Sequence, residues 1–220
     1  HFDTKGFTDH SQRVATGEAS PDALVDVIKA RANDGIPPHS LVLNMTENHD
    51  EHRLLNQAVV DLSEPNHDEV TDEQWDRGAR RQRLCWAAGL LLPGVPGIYY
   101  GQERQISRFG EGRHLGRGDP RGNGDTVDSG ADVRPGGRQR AFMNWEAYSE
   151  SPLALYRNLI TLYHDLDVLK PDAKLHEVRT TGTDGLLVFG RDAGHLDGVK
   201  GPEQVVVFLN FRNHPVEVAV

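Results

Sequence analysis

The chain has 220 residues, 37% of them hydrophobic and 26% charged, and carries a net charge of -9. These proportions suit a packed core in one large or two small domains; they argue against nucleic acid as partner, which needs clustered positive charge, and no Lys/Arg-rich run occurs. A lone cysteine, Cys85, excludes an internal disulfide, and no stretch approaches the roughly 18 uninterrupted apolar residues of a membrane span.

In chain order, the opening HFDTKGF starts at His1 rather than Met and shows no signal-peptide pattern. SPDALVDVIKARAND predicts a helix, with Ser20 as its cap, Pro21 at the first helical position and Asp22 complementing the positive end of the dipole. Leu24, Val27, Ile28 and Arg31 follow the helical period, with Ile28 central to the buried stripe. GIPPH stops that helix. The short apolar run SLVLNM, bounded by turn signals, has the pattern of a buried parallel strand.

Directly after it comes the polar segment TENHDEHR, with a short helix expected around Leu54 to Val60. TDEQWDRGARRQRLCWAAGLLLP is the strongest helix: Thr71 and Gln74 form a capping-box pattern and Pro93 marks the stop. Its second half is apolar on all sides, as befits a helix tucked against a sheet, and Cys85 there reads as a buried thiol rather than a nucleophile. GVPGIYYG is a second buried strand. Strand, helix and strand in this order form a βαβ unit, which builds a parallel sheet.

About forty residues with little periodicity follow, from Gln102 to Arg140. SPLALYRNLITLYHDLDVLKP is then a clear helix, capped by Ser151 and Pro152 and closed by Pro171, with Leu155, Leu159, Leu162 and Leu166 at helical spacing. From about Ala173 the period changes to two. KLHEVRTT, GLLVFGRD, EQVVVFLNF and PVEVAV read as antiparallel strands separated by Gly and Pro turns. A boundary near Pro171 is therefore expected, between an α/β part (residues 1–171) and a truncated β part (residues 172–220).

Three chemical readings compete for Asn48, His49 and Asp50. By itself NHD after a strand is an ordinary polar turn. As a metal site it would draw on His49, His52 and His67, but His-x-x-His on a loop lacks the helix-borne i, i+4 geometry of zinc peptidases. Asp119, Asn123, Asp125 and Asp128 offer hard oxygen ligands for calcium, yet their spacing does not match an EF-hand, and a solvated loop is the preferred reading. Neither metal nor cofactor is expected. Tyr99 and Tyr100 could stack on sugar faces, although one side of a buried strand is core by default.

Four segments in order resemble the α-amylase family, glycoside hydrolase family 13. ENHD at the end of a strand resembles the fourth of that family's signature regions, and GVPGIYYGQE its last barrel strand with the following loop. RAFMNW resembles the Arg-x-Pro-Met-x-Trp segment of that loop, with Phe142 where Pro is frequent. The helix LYRNLITLYHDLDVL and the β segment fit the final barrel helix and the C-terminal β-sandwich. The resemblance covers about Leu41 to Val220. It implies the C-terminal part of a TIM (β/α) barrel followed by an incomplete antiparallel β-sandwich, with LVLNM as seventh strand and GVPGIYYG as eighth.

A full barrel needs roughly 250 residues by itself, so the chain is expected to be a portion of a longer protein. Retaining glycosidases use two carboxyl groups roughly 5–5.5 Å apart; the family's nucleophilic Asp and acid/base Glu lie on its fourth and fifth strands, and neither motif is present. Asp9 in GFTDH lacks the accompanying Arg and is rejected as nucleophile.

The third family carboxylate matches Asp50, which by the resemblance binds ring hydroxyls and stabilises the oxocarbenium-like transition state. His49 matches the family's sugar-binding histidine. Arg140 is a looser carry-over as a substrate contact, and Asn48 and Glu51 receive no role. The implied function is an α-glucan-acting retaining glycoside hydrolase or transglycosylase binding an α-glucan or malto-oligosaccharide, inactive as this chain alone. The alternative is a non-catalytic carbohydrate-binding or structural relative of the same fold.

Overall fold

A computed structural model describes residues 4–31, 33–37, 40–59, 70–107, 110–111, 150–176, 178 and 185–217. A π-helical turn (Thr4–Thr8) leads into α1 (Asp9–Thr16), α2 (Ala23–Ala30), β1 (Leu43–Asn44), α3 (Leu54–Val59), α4 (Asp72–Leu91) and β2 (Val95–Pro96). A 3-10 turn (Gln102–Arg104) and a small hairpin of β3 (Ile106–Ser107) and β4 (Gly110–Glu111) come next. Beyond residues 112–149, which lie outside the described residues, α5 (Glu150–Asp165) and a 3-10 turn (Asp167–Leu169) precede β5 (Lys174–His176), β6 (Leu186–Asp192) and β7 (Gln204–Asn210).

The βαβ expectation is met in pairing but not in burial, since each strand is two residues long and β2 is only half-buried. β1 and β2 pair in parallel, with Leu43 opposite Val95 and Asn44 opposite Pro96. Val95 N donates to Val42 O at 2.8 Å and Gly97 N to Asn44 O at 3.0 Å. Pro96 lacks an N–H, but in a parallel ladder alternate residues donate inward, so its missing donor falls between the two that are used.

The amide of Asn44 fastens this pair to the helices. Its Nδ2 donates to Gly89 O at 2.9 Å and its Oδ1 accepts from Arg31 Nη2 at 2.7 Å. Gly94 sits against the same amide at φ +136°, and a Cβ there would lie 2.7 Å from it, so only glycine fits.

The crossover helix α4 starts as its sequence signals. Thr71 Oγ1 accepts from Gln74 N at 3.2 Å, while Gln74 Oε1 accepts from Thr71 N at 2.7 Å. A cap of this kind contributes about 1 kcal/mol. From Cys85 to Leu92 every side-chain-bearing position is buried. Trp86 stacks on Tyr156 of α5, ring centroids 3.9 Å apart.

Three details depart from the sequence-based expectations. Helix α1 was not anticipated: apart from Ser11, only Val14 and Ala15 along it are buried, too short an apolar stripe to stand out. In α2 the fully enclosed residue is Leu24, with Ile28 at the margin; Ser20 Oγ accepts from Asp22 N at 3.4 Å, as a cap does, and donates to Asp22 Oδ2 at 3.1 Å. In α5 Tyr156 is buried by its stacking on Trp86, while the leucine row is split: Leu159 and Leu166 pack against the core and Leu162 is 42% exposed.

The predicted period of two is present in an antiparallel sheet ordered β5-β6-β7. Along β7, Val205, Val207 and Leu209 pack inward while Val206 and Phe208 are exposed. The PVEVAV segment forms no strand over its described residues. One core holds the parts together: Phe7, Val14, Leu24, Trp86 and Leu90 share a cluster with Leu187, Phe189 and Phe211. No helix among the described residues is long and apolar enough to cross a membrane.

Arg191 on β6 stands at this junction, completely enclosed. It donates to the carbonyls of Leu91 at 2.5 Å, Lys170 at 2.6 Å and Ala173 at 3.1 Å. The first is a carbonyl at the end of α4 that has no partner within its own helix. Burial pulls the Arg191 guanidinium down to about 10, so it remains charged at neutral pH. Replacing it with Met (Arg191→Met) should lower unfolding free energy by about 2–3 kcal/mol, because three enclosed carbonyls lose their donor. Urea denaturation measures this, and a change within about 0.5 kcal/mol, the range of an ordinary surface substitution, would contradict it.

Cys85 is fully buried in α4 and its Sγ donates to Ser11 O at 3.6 Å; burial pushes the thiol up to about 12. The reactive thiolate is therefore scarce at neutral pH and also shielded. The native protein should resist alkylation by iodoacetamide, whereas the urea-unfolded chain should be labelled rapidly and stoichiometrically. Mass spectrometry distinguishes the two cases, and fast native labelling would sink this reading.

Candidate functional site

Because β1 and β2 run parallel, the loops that leave their C-terminal ends emerge on the same side. The first loop, Glu47 to Arg53, is built around Asn48. Its buried side-chain Oδ1 accepts from Asp50 N at 2.8 Å and from Glu51 N at 3.1 Å. Such an Asx-type turn fixes the backbone that follows and so determines where the next side chains project. His49 and Asp50 stand at the tip, with side chains 59% and 70% exposed, and His49 Nε2 lies 3.1 Å from Asp50 Oδ2. Their neighbour Glu51 is half-buried and His52 is exposed.

Beneath the tip lies a buried ion pair. Glu47 and Arg53 are almost wholly enclosed, with Arg53 Nη1 2.9 Å from Glu47 Oε1. The other carboxylate oxygen accepts from Leu54 N at 2.6 Å, at the start of α3. Burial pushes the Glu47 carboxyl above its ordinary value; the Arg53 charge and the Leu54 amide pull the other way. Desolvation on this scale is tolerated only where each buried charge is paired and hydrogen-bonded.

Arg53 also reaches the second loop. Its Nη1 donates to Tyr100 O at 2.7 Å, and the guanidinium carbon lies 4.3 Å from the Tyr99 ring centroid and 4.8 Å from that of Tyr100. The two rings meet edge to face, 4.7 Å apart, with Tyr100 exposed. Thr46 and Gln102 tie the loops a second time through a buried side-chain hydrogen bond from Gln102 Nε2 to Thr46 Oγ1. Gly101 turns the second loop at φ +80°; a Cβ there would clash with Ile106. Thr8 Oγ1 donates to Met45 O at 2.8 Å and anchors the first loop to the N-terminal turn.

Of the residues singled out from sequence, His49 and Asp50 are adjacent and point outward together. Asp9 is an exposed residue in the first turn of α1. Arg140, His67, Asp119, Asn123, Asp125 and Asp128 lie outside the described residues. Among the described residues, no three His, Cys, Asp or Glu side chains gather as a metal site. Sequence reading passed over Glu47 and Arg53. The available signal was a pair of opposite charges bracketing a short loop between an apolar run and a helix. Asn48, given no role there, is the turn-former.

Comparison with other proteins places this geometry in context. No protein-family model matches the chain. The α-amylase MalA of Haloarcula japonica is 26% identical over 226 residues, an alignment taking in all of this chain and 25% of the relative. Among solved structures, the pullulanase of Anoxybacillus sp. LM18-11 complexed with maltotetraose superposes with a TM-score of 0.59 at 17% identity, over 96% of this chain and 29% of that one. The maltogenic α-amylase AmyB of Thermotoga neapolitana gives 0.57 at 14% identity, over 96% and 37%. The chain thus spans about a quarter of the length of its curated relative and well under half of these structural neighbours. With signature-like segments in order, a fold in common with amylases and pullulanases and an alignment that takes in the whole chain against a quarter of one of them, this chain is similar to members of the α-amylase family of glycoside hydrolases.

Proposed function

We propose that the chain forms the last units of the catalytic barrel and the beginning of the following β domain of a retaining glycoside hydrolase or transglycosylase acting on α-glucans. The observation that carries this reading is the parallel β1–β2 pair, which delivers the exposed His49 and Asp50 to the same end as Tyr100. Active sites of (β/α) barrels occupy the C-terminal ends of the strands. β1 and β2 then correspond to the seventh and eighth barrel strands and α5 to the final barrel helix, with residues 1–171 in the barrel part and 172–220 in the β domain.

Two exposed surfaces support the assignment. Leu41 is 62% exposed and Ile98 40% exposed beside the strand pair, where a parallel sheet is normally covered on both faces. The exposed Val206 and Phe208 on β7 suit a second β layer, as in a sandwich.

In this reading Asp50 acts as an ionised carboxylate. It accepts hydrogen bonds from sugar hydroxyls and stabilises the positive charge that develops at the anomeric carbon. It transfers no proton. His49, within hydrogen-bonding distance of the Asp50 carboxylate, orients it and contacts the same sugar through its ring nitrogens. Arg140 supplies a further substrate contact from the loop beyond β2. The nucleophile and acid/base come from strands outside this chain, and the maltotetraose-bound pullulanase neighbour supports a malto-oligosaccharide as ligand.

The test uses the longer protein that contains this chain, assayed on starch and on maltotetraose. Asp50→Asn should lower kcat by about 10²–10³-fold, the loss typical of one transition-state-stabilising group. The 220-residue chain alone should hydrolyse neither substrate. Hydrolysis by the isolated chain, or full activity in Asp50→Asn, would refute the assignment. Malto-oligosaccharide binding without turnover by the longer protein would instead favour the non-catalytic relative.

A further inference from the structure

The ion pair beneath the site closes the loop on itself. Glu47 and Arg53 stand at its two ends, and each Glu47 carboxylate oxygen is used once: Oε1 by Arg53 and Oε2 by the Leu54 amide. The same Arg53 Nη1 that meets Glu47 also donates to Tyr100 O, so one cation ties the loop after β1 to the loop after β2. Both tyrosine rings flank its guanidinium.

Two apolar side chains of similar volume would fill this space without any desolvation cost. What they would lack is direction. A planar guanidinium can donate from one nitrogen while its face lies against an aromatic ring, fixing its orientation, and a lysine ammonium, a compact point charge, does not. Among the described residues, Arg53 Nε and Nη2 make no hydrogen bond, so its positional information passes through Nη1 and the ring faces. Neither Glu47 nor Arg53 is solvent-accessible enough to touch a sugar.

Resting on the proposed glycosidase site, we infer that Glu47 and Arg53 are positioning residues. They hold the His49–Asp50 tip in register with the Tyr99–Tyr100 segment and thereby set catalytic turnover, without contacting substrate themselves. Catalytic geometry is sensitive on this scale, since a displacement of about 1 Å can cost about 10²-fold in rate.

The experiment compares Arg53→Lys, Glu47→Gln and Asp50→Asn in the longer protein, at a temperature where circular dichroism shows each variant fully folded. Arg53→Lys keeps a positive charge but loses the planar guanidinium; Glu47→Gln is isosteric and provides the readout should Arg53→Lys not fold. Each should lower kcat on maltotetraose by about 10–100-fold while KM changes by less than about threefold. Affinity for a cationic iminosugar, a mimic of the charged transition state, should fall in parallel, and affinity for maltose should not.

A merely structural pair would lower the melting temperature and leave kcat of the folded variants unchanged; that result overturns the inference. Asp50→Asn separates the two levels. If it abolishes turnover while both pair variants keep wild-type kcat, the positioning role alone fails. Full activity in Asp50→Asn removes the site assignment and this inference with it.

Discussion

Two backbone hydrogen bonds, Val95 N to Val42 O and Gly97 N to Asn44 O, set the parallel pairing on which the rest of the arrangement depends. Parallel neighbours cannot be joined by a tight turn, so the chain must return along a crossover. The twenty-residue α4 is the long helix of that return, and its burial supplies much of the core. The same parallel direction brings the Asn48 turn and the Tyr99–Tyr100 segment to one end. Which loops share that end follows from topology before any individual side chain is considered.

Three buried or nearly buried arginines then hold the joints. Arg31 spans α2, the Asn44 amide and the Pro93 carbonyl; Arg53 spans the two loops at the opposite end of the strands; Arg191 spans the end of α4 and the antiparallel sheet. In a chain of net charge -9, burying cations costs desolvation that only several hydrogen bonds each can offset. Each arginine obtains them from backbone carbonyls or from one buried polar partner. Long-range joints made this way are directional, which apolar contacts are not.

Much of the fold was legible because its signals act over a few residues. The Thr71–Gln74 cap, the stop at Pro93, the short helix from Leu54 and the two-residue period of β7 are all local in this sense. Helix α1 escaped notice because its apolar stripe is so short that solvent-facing residues dominate the pattern. In α5 the leucine spacing marked the helix but not how far each leucine is enclosed: Leu159 and Leu166 pack against the core while Leu162 is exposed. Tyr156 is buried by stacking on Trp86, seventy residues earlier in the chain.

The residue pattern by itself determined that a short strand is followed at once by a polar turn carrying an imidazole and a carboxylate, and that a crossover helix follows. Each of these depends on backbone hydrogen bonding and side-chain periodicity among near neighbours. Only the tertiary structure decided that Glu47 and Arg53 form a buried pair, because their enclosure is completed by Tyr99 and Tyr100, and Arg53 meets a carbonyl 47 positions away. Burial is a property of what surrounds a side chain, and those surroundings come from parts of the chain that sequence distance does not order.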